Sequence, residues 1–190
     1  AACCGGRSTI PASLGVTMDE DSVLSHSVNI FFRAPKLWDH HDKGQAALYL
    51  FIGQEGMWGW ITAQDGRDLW RLTIHGDKHF LDPSEVDAEA TLARAVGGDF
   101  PHEIINVVPW TRRSWVAPRY GTGPVFLCGD AARQNSPTGG FGMNTGLGDA
   151  VDLGWKLAAL IEGWGGKVLA ASYEAERRQV ALRNVGEATG

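Results

Sequence analysis

The run from Val125 to Leu160 constrains this chain more than any other stretch. It opens on Val125-Phe126-Leu127-Cys128, which has the length and residue types of a buried strand rather than of a helix. Gly129-Asp130 ends that strand, and a polar, glycine-rich turn follows from Gln134 to Gly142, with Pro137 and the pair Gly139-Gly140 inside it. From about Met143, the apolar residues Leu147, Ala150, Val151, Leu153, Leu157 and Leu160 recur at helical spacing. The order strand, acidic turn, glycine loop, helix has chemical meaning. A carboxylate at the carboxyl end of a buried strand faces the crevice where open α/β sheets bind ligands, so Asp130 is placed to accept hydrogen bonds from sugar-like hydroxyls. The helix N-terminus offers N–H groups without partners and a partial positive charge, and the glycines let a ligand approach that backbone closely. An anion or an electron-rich carbonyl suits such a place. The phosphate loop Gly-x4-Gly-Lys-Ser/Thr does not occur, and Gly140-x-Gly142 fails the dinucleotide fingerprint because Thr145 stands where the third glycine belongs. Taken alone, the unit reads equally well as a plain connection in an α/β domain.

The rest of the chain supplies a sheet. From Ser22 to His75 the segments Val23–Arg33, 47–52, 57–63 and Leu69–Ile74 are rich in β-branched and aromatic residues and are separated by turn signals such as Gly53-Gln54-Glu55-Gly56. Alternation puts Arg71 and Thr73 on one face and Leu72 and Ile74 on the other. A helix is expected over 85–96, capped by Ser84 or Asp82 and stopped by Gly97-Gly98, and 104–115 returns to strand. At the start, Cys4-Gly5-Gly6 reads as a strand end entering a glycine turn, with Ser8 or Thr9 as a helix cap.

Composition narrows the function. With 190 residues, 44% of them hydrophobic, the chain has enough apolar material for a substantial core. A net charge of −5 with scattered basic residues argues against a nucleic-acid partner. No run of about 18 apolar residues marks a membrane span, and no basic region with an apolar core marks a secretory signal. Three cysteines form neither a disulfide framework nor a zinc site, so a reduced cytoplasm is the expected location. Asp39-His40-His41-Asp42 reads as a charged loop rather than a metal cluster, because adjacent side chains diverge. Arg112-Arg113 reads as a pair of sheet-edge arginines. No Ser-His-Asp or Cys-His spacing points to a hydrolase.

The order Gly129-Asp130-Ala131-Ala132, then Ser136 to Gly146 (SPTGGFGMNTG), then Asp149 to Ala158 (DAVDLGWKLA), closely resembles the second flavin-binding motif of the single-component FAD-dependent aromatic hydroxylases. This is the family of para-hydroxybenzoate hydroxylase, phenol hydroxylase and the polyketide-tailoring monooxygenases. Ser172-Tyr173-Glu174-x-Glu176-Arg177-Arg178 is similar to the family's closing helix.

The resemblance implies an α+β/α/β architecture, the C-terminal part of a two-domain flavin monooxygenase fold. Residues 1–21 would end a segment of the FAD-binding domain, 22–118 would form the antiparallel substrate-domain sheet with one helix, and 119–190 would carry the strand, loop and helix of the second FAD motif. It implies FAD as cofactor, with Gly129, Asp130, Pro137, Gly140, Gly142, Met143 and Asn144 as its binding residues. Asp130 would bond the ribityl hydroxyls, Pro137 would shape the turn beside the isoalloxazine, and the N–H groups around Gly142, Met143 and Asn144 would stabilise negative charge at the ring edge. NAD(P)H and dioxygen would be co-substrates, a phenolic or polyketide-like aromatic the substrate, and a flavin C4a-hydroperoxide the oxidant, so that the cofactor rather than a side chain performs the oxidation.

Three positions depart from the pattern. Cys4 stands where the family has an acid, Pro11 where it has a basic residue, and Arg133 where histidine is common. The family's first Gly-x-Gly-x-x-Gly motif does not occur in these residues, so the chain is expected to be part of a longer enzyme and, alone, to hold FAD weakly and to self-associate through an exposed sheet edge at Val125–Cys128. The alternative is a truncated, catalytically silent homologue acting only as a structural or interaction protein.

Overall fold

Alternating burial along β-branched and aromatic segments builds the central sheet. The computed structural model describes residues 1–79 and 82–189. It divides into two units, one formed by Ala1–Val23 with Arg112–Gly190 and the other by Leu24–Thr111. The expected segments 1–21 and 119–190 thus lie in one unit, together with 22–23 and 112–118 of the expected sheet segment.

In the unit Leu24–Thr111, strands β1 (Val23–Arg33), β2 (Leu48–Gly53), β3 (Gly56–Ala63) and β4 (Leu69–Ile74) pair antiparallel, and β5 (Glu103–Arg113) completes the sheet in the order β2-β3-β4-β1-β5. Register assigns the two faces. Tyr49, Ile61, Leu72 and Ile30 stand opposite one another across four strands, and Trp70 faces Phe32. These side chains are buried against Leu92, Ala95 and Val96 of helix α2 (Ala88–Val96). Complete burial of a residue such as Leu72 contributes roughly 1.5–3 kcal/mol. Trp70 keeps its polar atom satisfied by donating from Nε1 to the Ala34 carbonyl at 3.2 Å. The opposite face carries the row Leu48, Thr62, Arg71, Phe31 and the row Leu50, Trp60, Thr73, Asn29.

Helix α2 begins later than the sequence indicates. Pro83–Glu85 closes into a separate 3₁₀ turn capped by Asp82, whose carboxylate accepts the Ser84 N–H at 2.9 Å. Val86 is extended, and Asp87 then caps α2 by accepting from the Ala90 N–H at 3.0 Å. Two competing carboxylates therefore split what looked like one helix. Its stop is as expected, with Gly97 in the left-handed region at φ 104°.

The other unit is held by short pairings and two long helices. Helix α1 (Ile10–Ser13) follows the N-terminal turn; β6 (Trp115–Val116) pairs with β9 (Arg133–Gln134), and β7 (Gly121–Thr122) pairs with β8 (Val125–Phe126). Immediately after β8 the chain switches partner, and Leu127 bridges Ala2 in parallel. The Val125–Cys128 run is therefore paired within the chain on both sides, through Tyr120 O to Leu127 N–H at 2.7 Å and through Ala2, which corrects the expectation of a bare edge along it. Helices α3 (Phe141–Ile161) and α4 (Lys167–Glu187) pack on these strands. Tyr173 donates its hydroxyl to the Leu127 carbonyl at 2.8 Å, Glu174 accepts the Tyr120 N–H at 2.7 Å, and Arg178 donates to the Ala117 carbonyl at 3.0 Å.

Helix α3 is inside out in polarity. It buries Thr145, Asp149, Leu153, Lys156 and Ala159 while exposing Met143, Leu147 and Val151. Apolar periodicity located this helix but not its buried face. Among the described residues, no helix is long and apolar enough to cross a membrane.

Candidate functional site

Two turns far apart in the sequence meet around one cavity. Ala2 N–H donates to the Phe126 carbonyl at 2.6 Å, and Cys128 N–H returns to the Ala2 carbonyl at 3.0 Å, so the two strands leave their pairing side by side. One enters Cys4-Gly5-Gly6, the other Gly129-Asp130. Gly129 adopts φ 62°, which lets the chain turn straight into the 3₁₀ segment Gly129–Ala131. A cavity of about 260 Å³ lies between these turns, lined by Gly5, Gly6, Ser8, Pro11, Asp130 and Gln134 among others. Gln134 closes one wall by donating to the Gly6 carbonyl at 2.8 Å. A β-carbon on residue 6 would approach that amide to 2.8 Å, so glycine there permits the close contact.

The N-terminal turn survives without its acid. The Cys4 thiol pairs with the Ser8 hydroxyl at 2.7 Å, and Ser8 in turn accepts the Ile10 N–H at 3.1 Å. Ser8 rather than Thr9 serves the start of α1. Pro11 is buried at the second position of that helix, where its missing N–H costs nothing. Asp130 is exposed and, among the described residues, its carboxylate has no hydrogen-bond or ion-pair partner.

The glycine loop presents a bare helix start. Pro137 precedes the 3₁₀ segment Thr138–Gly140, and Gly139 and Gly140 adopt φ 77° and 68°. These two glycines, not Gly142, carry the left-handed conformations. Gly142 has ordinary helical backbone, and a β-carbon there would meet nothing within 4 Å. Helix α3 starts at Phe141, two residues earlier than its apolar pattern indicates, with Gly140 as an N-cap that provides no side-chain oxygen. The donors left without an intrahelical acceptor are therefore the N–H groups of Phe141, Gly142 and Met143. Asn144 is one step too far along, and its side chain donates back to the Gly140 carbonyl at 3.0 Å.

A buried cation holds this loop. Arg133 is fully buried and donates to Asn135 Oδ1 at 2.7 Å and to the Gly142 carbonyl at 2.9 Å. Its Nε lies 3.5 Å from Asp149 Oδ2, an ion pair whose geometry falls short of a hydrogen bond. Asp149, also fully buried, accepts from Arg177 Nε at 2.9 Å. The guanidinium that replaces a common histidine therefore ties the turn after Gly129-Asp130 to the first turn of α3. Sequence reasoning missed this triad. The only signal was an arginine inside an otherwise apolar and small-residue turn, with an aspartate later in the same motif.

The donors and acceptors suit part of a flavin cofactor. Asp130 supplies an unpartnered acceptor for hydroxyls, the α3 start supplies N–H donors for an electron-rich ring edge, and the open space at Gly142 leaves that edge access. The cavity is smaller than the roughly 300–1,000 Å³ that encloses a drug-sized ligand, so it fits a segment of a dinucleotide rather than the whole.

Comparison with known proteins agrees. Residues 1–188 match the family described as FAD binding domain. The FAD-dependent monooxygenase opdD of Penicillium oxalicum is 40% identical over 195 residues, which span 94% of this chain and 36% of the relative. A putative polyketide hydroxylase of Streptomyces coelicolor is 36% identical over 184 residues, 93% of this chain and 29% of its own length. The solved structure of the rebeccamycin biosynthetic enzyme RebC with reduced flavin superposes with a TM-score of 0.87 at 39% identity, over 99% of this chain and 35% of that one. The ternary complex of aklavinone-11 hydroxylase with FAD and aklavinone gives a TM-score of 0.81 at 30% identity, over 98% of this chain and 35% of that one. The chain spans about a third of the length of these relatives. Residues 1–188 cover almost the whole chain, so the chain belongs to the FAD binding domain family.

Proposed function

We propose that this chain provides the ribityl-binding and ring-edge-binding loops and the substrate sheet of an FAD-dependent monooxygenase that hydroxylates phenolic or polyketide-like aromatics with NAD(P)H and dioxygen. The observation that carries the reading is Asp130, a carboxylate at the mouth of a built cavity with no protein partner among the described residues. In this reading Asp130 accepts from the ribityl hydroxyls, Gly129 and Pro137 shape the two turns, and Gly140 opens the backbone. The N–H groups of Gly142 and Met143, joined by that of Phe141, hold negative charge at the pyrimidine edge. Asn144 acts through the Gly140 carbonyl rather than on the cofactor. The flavin, when bound, supplies the oxidising chemistry, and the protein orients it.

The face of the sheet away from α2 supports an aromatic substrate. Phe31 and Trp60 offer flat apolar surface, and Thr73 is already bonded to Asn29 at 2.7 Å. Arg71, in the middle of that face, has a buried Nε without a partner and no carboxylate in ion-pair range among the described residues.

Titrating FAD fluorescence with the protein at equilibrium tests the cofactor reading without requiring tight binding. Quenching should saturate, and Asp130→Ala should weaken it on the order of tenfold to a hundredfold, the cost of hydroxyls left without an acceptor. A wild-type protein that never quenches, or an Asp130→Ala variant with unchanged affinity, overturns the assignment.

A further inference from the structure

The parallel pairing that joins the two turns also aligns two thiols. Ala2 bridges Leu127, with Ala2 N–H donating to Phe126 O at 2.6 Å and Cys128 N–H donating to Ala2 O at 3.0 Å. In that register the next opposed pair is Cys3 and Cys128, and a side-chain period of two turns both to the same side of the pair. Neighbouring strands lie roughly 4.8 Å apart, inside the window of roughly 4.4–6.8 Å between α-carbons that a disulfide spans. Cys4, the next residue, alternates to the other side and pairs with Ser8 at 2.7 Å.

The two thiols differ in setting. Cys3 is exposed and Cys128 is buried. Burial first, and then the neighbouring Cys3 thiol, push the Cys128 thiol up to about 11. Cys128 is therefore protonated across the neutral range and is the slower of the two to meet a reagent from solvent.

We propose that Cys3 and Cys128 are a peroxide-oxidised pair that closes into an intrachain disulfide. The Cys3 thiolate attacks one oxygen of hydrogen peroxide, the O–O bond breaks, and hydroxide leaves with a proton as water, giving a sulfenic acid at Cys3. The Cys128 sulfur then attacks the Cys3 sulfur. The S–O bond breaks, a second water leaves with the Cys128 proton, and the S–S bond forms. Two electrons, one from each sulfur, reduce one peroxide to two waters. The cross-link fastens the strand entering Gly5-Gly6 to the strand entering Gly129-Asp130, so it locks both walls of the cavity whatever ligand that cavity holds.

The test treats the folded protein with one equivalent of hydrogen peroxide. Remaining thiols are blocked under denaturing conditions, and tryptic peptides are mapped by mass without reduction. The expected product is peptide 1–7 joined to peptide 120–133, two hydrogens lighter than the free pair, with one of the three cysteines still alkylated. Cys4→Ser should keep the link and Cys3→Ser should abolish it, leaving Cys128 alkylatable. The same peroxide applied to urea-unfolded protein should give a mixture of links, since native register selects the pair. Sulfinic acid on Cys3 with free Cys128 in the wild type, a Cys3–Cys4 or intermolecular link, or an undiminished link in Cys3→Ser each overturns the proposal. None of these readouts depends on flavin binding.

Discussion

Replacing Arg133 with methionine tests whether the buried cation is what holds the glycine loop in place. Methionine keeps much of the aliphatic volume and removes the guanidinium. The Gly142 carbonyl at 2.9 Å and Asn135 Oδ1 at 2.7 Å then lose a donor, and Asp149 loses an ion-pair partner and keeps Arg177 at 2.9 Å. Each charged hydrogen bond is worth roughly 1.5–3 kcal/mol. Breaking a buried ion pair costs roughly 3–5 kcal/mol when the survivor is left alone. Because Arg177 still neutralises Asp149, the lower end applies, and about 3 kcal/mol is expected. With a urea slope of roughly 2 kcal/mol per molar, the midpoint should fall by about 1.5 M. Arg133→Lys should recover little, since a single ammonium cannot reach three acceptors arranged around a planar fork. Asp149→Leu should also be costly, because it leaves two guanidinium groups facing each other without a counter-charge. The double variant Arg133→Met/Asp149→Leu should be less damaging than the sum of its parts by about 1–2 kcal/mol. Urea unfolding followed by tryptophan fluorescence measures all four variants. An Arg133→Met unfolding free energy within about 0.5 kcal/mol of wild type would refute the account.

Backbone demands separate the glycines of the loop. Gly139→Ala should lose about 1–2 kcal/mol in urea unfolding because φ 77° suits only glycine and the new methyl meets the Phe141 ring, whereas Gly142→Ala should be neutral or stabilising by about 0.5–1 kcal/mol; equal losses would contradict this. Arg71→Met should leave stability unchanged or raise it, since its buried Nε has no partner to lose among the described residues. A fall of more than about 1 kcal/mol would mean that Arg71 serves the fold rather than a ligand. The Lys156 ammonium, and then the Ser172 hydroxyl, hold the Glu176 carboxyl below the usual carboxylate range. A depressed folded value stabilises above the unfolded value of about 4.3 and is lost as pH falls through the folded one, so Glu176→Gln should flatten the acid limb of a stability-against-pH curve below about pH 4.3. An unchanged acid limb would remove Glu176 from that role.

Local pattern carried the sheet a long way. The bounds of β1 and β4 follow from alternation and turn residues alone, and the faces of Arg71 and Leu72 were legible in the same strand. The strand, acidic turn, glycine loop and helix were legible too, because Gly and Asp punctuate them by backbone chemistry that needs no tertiary partner. Where two local signals competed, the reading slipped: Asp82 and Asp87 each cap their own turn, and Phe141 extends α3 ahead of its first apolar repeat. Tertiary pairings were not legible. Nothing near Arg133 announces that it reaches Gly142 and Asp149, and nothing in α3 announces that Lys156 is buried between Asp152 and Glu176 while Val151 faces out. Those arrangements exist only once α4 has brought Arg177 and Glu176 alongside.

The parallel bridge between Ala2 and Leu127 sets an order of folding events. Its two strands are separated by well over a hundred residues, and closing a flexible loop of that length costs roughly 4 kcal/mol before any contact repays it. Within the intervening unit Leu24–Thr111, the β2–β3 and β3–β4 hairpins join near neighbours and close cheaply and early, and β1 then adds to β4 across a longer loop. Once formed, that sheet shortens the effective loop and lowers the cost of joining the two strands. The cavity at Asp130 should thus be the last part of the molecule to assemble on refolding and the first to come apart, and a cut anywhere between Val23 and Arg112 should slow its recovery far more than that of the sheet's own hairpins.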